Sequence, residues 1–220
     1  MHPRSRILLL AVVTAVVLVF ALVVLLDRPA ARPQAGASAT AGGTAAAEEE
    51  RASSGFDGAL LPGGVSAPDF TLTDQSGRRV SLDQYRGRVT ILTFLSTACS
   101  PACPLIAQQI RGALDELGRS VPTLIVSADP VADTPARVHR FLGEVALSGR
   151  VEYLTGALGE LQPVWRAYDI VPSLLGNAAS PHTASVLLIG RAGQKRDLFE
   201  VEELTPEGLA HDLRKLEGSQ

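Results

Sequence analysis

The apolar positions of this chain fall into three regimes. Residues 7–26 (ILLLAVVTAVVLVFALVVLL) run for 20 residues without a charge, interrupted only by Thr14. A helix of that length spans about 30 Å, the thickness of a bilayer's hydrocarbon core. A core helix of a globular domain would show a polar face, and this run shows none. Residues 28–55 are then rich in Ala, Gly, Pro, Ser and Thr, with one acidic triplet at Glu48, Glu49 and Glu50. They have no apolar periodicity with which to bury themselves and predict a flexible tether reaching roughly 30 Å. Beyond them the pattern becomes that of a folded domain. The expected organisation is a membrane anchor over 1–27, a linker over 28–62 and one domain over 63–220.

Within that domain, strand-like and helix-like patterns alternate. Residues 70–72 and 80–82 flank the polar turn Asp74-Gln-Ser-Gly77 and predict a small hairpin. Residues 89–95 (VTILTFL) and 121–126 (VPTLIV) are short apolar runs of buried-strand type. Between them Ile106, Ile110, Ala113, Leu114 and Leu117 recur at helical spacing up to Gly118. Thr134-Pro135 opens a second helix, since threonine caps and proline fits the first turn. Residues 151–154 predict a short strand, and 158–168 a helix interrupted near Pro163. Residues 184–189 (ASVLLI) predict a strand, a turn over 190–193 leads to another near Leu198, and 206–216 is the closing helix. The alternation implies an α/β domain with a central sheet and helices on both faces.

Charge changes the picture little. Twenty basic and 23 acidic residues leave a net charge of −3, so no basic footprint for nucleic acid is present. Arg4 and Arg6 precede the apolar run, which favours a cytoplasmic N-terminus and an exported domain. The competing reading is a cleaved signal peptide, but the apolar run is long for one. The nearest A-x-A pattern (Ala37, Ser38, Ala39) also lies well past its end. No cysteine precedes Cys99 to carry a lipid.

Two cysteines and four histidines narrow the chemistry. Cys99 and Cys103 follow the 89–95 strand at the start of the next helix, outside the carboxyl end of a strand, where α/β sheets place their ligands. Their i, i+4 spacing puts both sulfurs on one face if the helix begins by Cys99. A helix N-terminus also favours the thiolate. A structural disulfide would close too short a loop to stabilise much, and Pro101 and Pro104 argue against two unrelated core thiols. A redox or metal pair fits best. A third ligand would complete a soft-metal site, and His182, in Ser-Pro-His-Thr before the 184–189 strand, is the candidate. By itself a loop histidine is weak. His2 lies before the apolar run, while His139 and His211 read as surface residues on helices. Two thiolates and one imidazole suit copper.

These motifs in this order carry a resemblance. A-P-D-F-x-L-x-D-x-x-G from Ala67, the strand ending Phe94-Leu-Ser-Thr97, C-S-P-A-C-P, S-A-D-P-x-x-D-T-P over 127–135, and a late histidine before an apolar strand are together similar to the Sco/SenC family. These are membrane-tethered, thioredoxin-like copper proteins that serve cytochrome c oxidase assembly. The resemblance covers roughly residues 64–216 and implies a thioredoxin-like central sheet with flanking helices. It implies copper, Cu(I) or Cu(II), held by Cys99, Cys103 and His182, with Asp129 matching an aspartate near the site. Two departures stand out: Ser100 intervenes before Pro101, where the family commonly has proline directly after its first cysteine. Pro181 stands where an acidic residue often precedes the histidine. Trp165 and Tyr168, near the same loops, offer a partner-docking surface, although aromatics at that spacing are more often core.

The implied function is delivery of copper to the copper-site subunit of cytochrome c oxidase, reduction of that site's cysteines, or both. Implied partners are that subunit, an upstream copper donor or thiol reductant, and the membrane. The implied location is the cell membrane, single-pass, with the domain on the extracytoplasmic side. A general thiol–disulfide oxidoreductase is the alternative, with Cys99 attacking and Cys103 resolving the mixed disulfide. A peroxidase of the thioredoxin superfamily ranks third, because it leaves His182 unexplained.

Overall fold

The computed structural model describes residues 53–99, 101–172 and 185–218. The chain divides into two units, 1–45 and 46–220, and the described residues all lie in the second. The run 7–26 therefore lies outside the described residues, among which no helix is long and apolar enough to cross a membrane.

The strands of the domain are β1 (Ala59–Leu60), β2 (Thr71–Thr73), β3 (Arg79–Ser81), β4 (Thr90–Leu95), β5 (Thr123–Ser127), β6 (Glu152–Leu154), β7 (Ser185–Ile189) and β8 (Lys195–Glu200). Its helices are α1 (Ala102–Leu117), α2 (Pro135–Glu144), α3 (Leu158–Ala167) and α4 (Pro206–Gly218). Six strands form one sheet in the order β1-β8-β7-β4-β5-β6, and β2 and β3 form the separate hairpin expected around Asp74. β4 pairs parallel with β5, and β5 with β6, whereas β7 runs antiparallel to both β4 and β8. This is a thioredoxin-like arrangement, as the resemblance implies.

Side-chain alternation along the strands builds two cores. Ile91, Leu95, Ile125, Leu188 and Phe199 face α1, α2 and α4. Leu92, Phe94, Leu124, Val126 and Leu187 face α3 and the hairpin. β4 and β5 are buried at every position, which is why both read as continuous apolar runs. On α1 the buried Ile106, Ile110, Ala113 and Leu114 recur at helical spacing. Gly118 ends the helix with φ 62°, a left-handed conformation that favours glycine. The hydroxyl of Thr134 accepts from the Arg137 N–H at 3.4 Å and Pro135 fills the first position of α2, as the sequence predicts.

Two expectations change. α3 is not interrupted at Pro163; it runs through it. One helical hydrogen bond is lost there, but Leu161, Val164 and Trp165 are buried around it and hold the helix against the sheet. The folded region also begins before residue 63. Phe56 packs in the α1/α4 core, and β1 adds an edge strand through Ala59↔Leu198 and Leu60↔Asp197.

Candidate metal centre

Beyond Leu95 the chain leaves the sheet in a tight turn. The Cys99 N–H donates to the Ser96 carbonyl at 3.2 Å and the Ala98 N–H to Ser96 Oγ at 3.1 Å. Cys103 is the second residue of α1, and it forms a disulfide with Cys99 across a Cα–Cα distance of 5.6 Å. The helix does not begin by Cys99, as a shared helical face would require; it begins at Ala102, and Cys99 reaches Cys103 from the turn. Pro101 and Pro104 set this start. They occupy the cap and third helical positions, where an N–H would have no helical acceptor, so neither costs a bond. Cys103 is 1% exposed and Cys99 8%, so Cys99 is the more accessible residue of a buried pair. In this oxidised form the pair must take up two electrons before either sulfur can act as a thiolate nucleophile or ligand.

A buried carboxylate organises the turn from below. Asp133, 3% exposed, accepts at Oδ1 from the Thr97 N–H (2.7 Å) and Ser96 Oγ (3.3 Å). At Oδ2 it accepts from Ser127 Oγ (2.6 Å) and Tyr153 Oη (2.9 Å). Burial raises the Tyr153 phenol well above its ordinary range, and the Asp133 charge and hydrogen bond push it the same way. Sequence reasoning missed both residues; the available signal was the second aspartate of D-P-x-x-D-T-P, placed directly before a helix cap. Asp129, the residue singled out instead, serves the turn around Pro130: its Oδ1 accepts from the Val131 and Ala132 N–H groups, each at 3.1 Å.

His182 and the neighbouring Pro181 lie outside the described residues, as does His2. The strand that follows His182 is described, and it meets the site edge. Thr93 pairs with Val186, and Thr93 Oγ1 donates to the Ser185 carbonyl at 2.7 Å. The start of β7 thus lies beside the exit of β4, as a thioredoxin-like sheet requires. Only Thr183 and Ala184 lie between His182 and Ser185, so the two Cα atoms are at most about 11 Å apart.

The other candidates resolve as follows. His139 is exposed on α2. His211 on α4 lies 2.9 Å from the carboxylates of both Asp57 and Asp212. These three form the one group of metal-capable side chains among the described residues. The buried Asp212 carboxylate is engaged by the Asp57 and Gly58 N–H groups and anchors the segment that leads into β1. Trp165 and Tyr168 are core: the indole N–H donates to the Ser127 carbonyl at 2.9 Å and the Tyr168 hydroxyl to the Pro68 carbonyl at 2.7 Å.

The human mitochondrial SCO1 homologue is 29% identical to this chain over 141 residues, 59% of this chain and 46% of that relative. The chain thus spans less than half of the relative's length. Copper-bound ScoI of Bradyrhizobium japonicum is a structural neighbour at 29% identity and TM-score 0.55, covering 70% of this chain and 99% of that one. BsSco is another neighbour, with a TM-score of 0.62 at 24% identity, covering 72% and 97%. It belongs to the Sco family of cytochrome c oxidase assembly proteins, and a disulfide switch has been identified in it. Peroxiredoxin Bcp of Escherichia coli is 34% identical over only 82 residues, 37% of this chain and 50% of the peroxiredoxin. One family model, SCO1/SenC, matches residues 62–217, the sheet and the cysteine turn included, and the chain belongs to that family.

Proposed function

We propose that this protein binds copper through Cys99, Cys103 and His182 and passes it to the copper-site subunit of a cytochrome c oxidase, reducing that subunit's cysteines where they are oxidised. The observation that carries the proposal is the cysteine pair itself: two soft donors on one short turn, beside the strand whose chain leads back to the histidine. Thiolate sulfur selects Cu(I), and an imidazole serves either oxidation state of copper. So small a donor set leaves the ion open to an incoming thiolate, so transfer proceeds by ligand exchange. In the reductive role, the Cys99 thiolate attacks the partner's disulfide and releases one partner thiol. Cys103 then displaces the second, leaving the Cys99–Cys103 disulfide and a reduced partner. The run 7–26 tethers the domain to the cell membrane on its extracytoplasmic side, and an upstream thiol reductant or copper donor resets it.

The second reading, a general thiol–disulfide oxidoreductase, is favoured by the greater exposure of Cys99 over Cys103, 8% against 1%. Copper titration of the full chain separates the two. After reduction and removal of reductant, the protein is expected to bind one copper ion per chain, with a thiolate charge-transfer absorption in the Cu(II) form. The oxidised protein is expected to bind none at this site. No copper uptake by the reduced form would leave the oxidoreductase reading in the lead, and peroxide consumption through Cys99 would favour the peroxidase.

A further inference from the structure

Resting on the reading of Cys99 and Cys103 as a reversibly reduced pair, we infer that Asp133 is a positioning residue for that pair: its carboxylate fixes the turn that presents Cys99 to Cys103. β4 ends at Leu95, so the Thr97 N–H has left the sheet ladder and takes its acceptor from Asp133, at 2.7 Å. Ser96 Oγ bonds the same oxygen at 3.3 Å and accepts from the Ala98 N–H, so two of the three residues before Cys99 are tied to it directly and the third through Ser96. The carboxylate cannot swing, because its other oxygen is held by Ser127 Oγ at the end of β5 and Tyr153 Oη on β6. Its backbone is fixed as well: the Asp133 N–H donates to the Asp129 carbonyl at 2.9 Å, and the next residue, Thr134, caps α2. The rigidity of two strands and a helix start is thereby passed to a turn with no ladder of its own.

A carboxylate buried to this degree is costly unless saturated with donors, and an apolar side chain would fill the space at less expense. Its four donors identify what the expense secures, namely the geometry of the Cys99 turn. That geometry bears on the equilibrium 2 R–SH ⇌ R–S–S–R + 2 H⁺ + 2 e⁻. The disulfide clamps the turn by itself, whereas in the dithiol only the surrounding bonds hold Cys99 near Cys103. Removing the acceptor frees the dithiol alone, lowers the effective concentration of one thiol at the other, and makes the disulfide easier to reduce.

The test equilibrates the full chain with dithiothreitol redox buffers, which supply the two electrons and end as their own cyclic disulfide. The Cys99–Cys103 equilibrium constant is read by thiol trapping. Asp133→Ala is expected to shift it at least tenfold toward the dithiol, about 30 mV for a two-electron couple. Asp133→Asn keeps an oxygen for the Thr97 N–H, while its amide can donate to Ser127 Oγ and Tyr153 Oη, so it is expected to stay within threefold of wild type. An Asp133→Ala constant within twofold of wild type in a natively folded protein overturns the inference. So does an Asp133→Asn shift as large as that of alanine, which would make charge rather than positioning the cause. If Asp133→Ala does not fold, amide exchange of wild-type Thr97 decides. The expected result is protection of at least a hundredfold in both redox states, and exchange at the free rate in the dithiol form overturns the inference. Wild-type protein that cannot be reversibly reduced at all would instead defeat the redox reading on which this rests.

Discussion

Cys99, Cys103 and His182 carry separable parts of the proposed chemistry, and single substitutions divide them. His182→Ala is expected to abolish stable copper binding while leaving thiol–disulfide exchange within a few-fold of wild type, because exchange needs only the two sulfurs. Cys99→Ser and Cys103→Ser are each expected to eliminate both activities. Unchanged copper affinity and spectrum in His182→Ala would show that the three-donor site is wrong. The cysteines were legible in the sequence because their spacing and flanking prolines mark a strand-to-helix turn. Asp133 was not, because its importance comes from donors 36 residues upstream and 20 downstream, which only the tertiary structure assembles. The spacing of Trp165 and Tyr168 favoured core over a docking surface, and both are buried.

Elements pack closely enough here that two positions should report on them. Gly112 lies where α1 crosses α4: a Cβ at this position would meet Pro206 Cβ and Cγ at 2.9 Å. Gly112→Ala gains about 1 kcal/mol of helix propensity but overpacks a contact whose cost is roughly 1–3 kcal/mol. The expected net effect is destabilisation by about 1 kcal/mol in chemical denaturation; a stabilised variant would mean the helices separate freely. In the hairpin, Asp74 accepts from the Ser76 N–H and hydroxyl and from the Arg78 N–H, all at 2.7–2.8 Å. Burial alone would raise its pKa, but the bonds from Ser76 and Arg78 outweigh it and hold the carboxyl at about 2. With the folded value below the unfolded one of 3.8, this stabilisation is complete above about pH 4 and is lost as pH falls toward 2. Wild type should therefore lose more stability than Asp74→Asn over that range, with the two curves converging near pH 2. Parallel curves in acid unfolding followed by circular dichroism would rule this out. The hairpin was readable from its polar turn, whereas β1 was not. Two residues are too few for any periodicity, and their place depends on Leu198 and Asp197 across the sheet.

For the whole molecule, the central antiparallel pair was foreseeable once the order of strands and helices resembled one family. It brings the start of β7 to the exit of β4, and with it the chain that leads to His182. The run 7–26 lies outside the described residues, and its reading as a membrane anchor rests on length alone, since 20 uncharged residues match a bilayer. The full chain is expected to sediment with membranes and to resist alkaline carbonate, and deletion of residues 1–27 is expected to release it to the soluble fraction. Mature protein beginning near residue 40 would show that the run is cleaved as a signal.

The chain's single tryptophan gives this arrangement an optical consequence. Trp165 is 2% exposed, and its indole N–H bonds the carbonyl of Ser127, the residue whose hydroxyl holds Asp133. Light absorbed at the red edge of the protein spectrum is thus deposited in one chromophore, in an apolar setting, two hydrogen bonds away from the carboxylate under the cysteine turn. Its emission belongs at the blue end of the tryptophan range while the strand ends keep their places. Relaxation of that corner shifts the colour even where the rest of the sheet stays folded. The protein therefore carries a native fluorophore for following the integrity of that corner, in wild type and in Asp133 variants, without an added label.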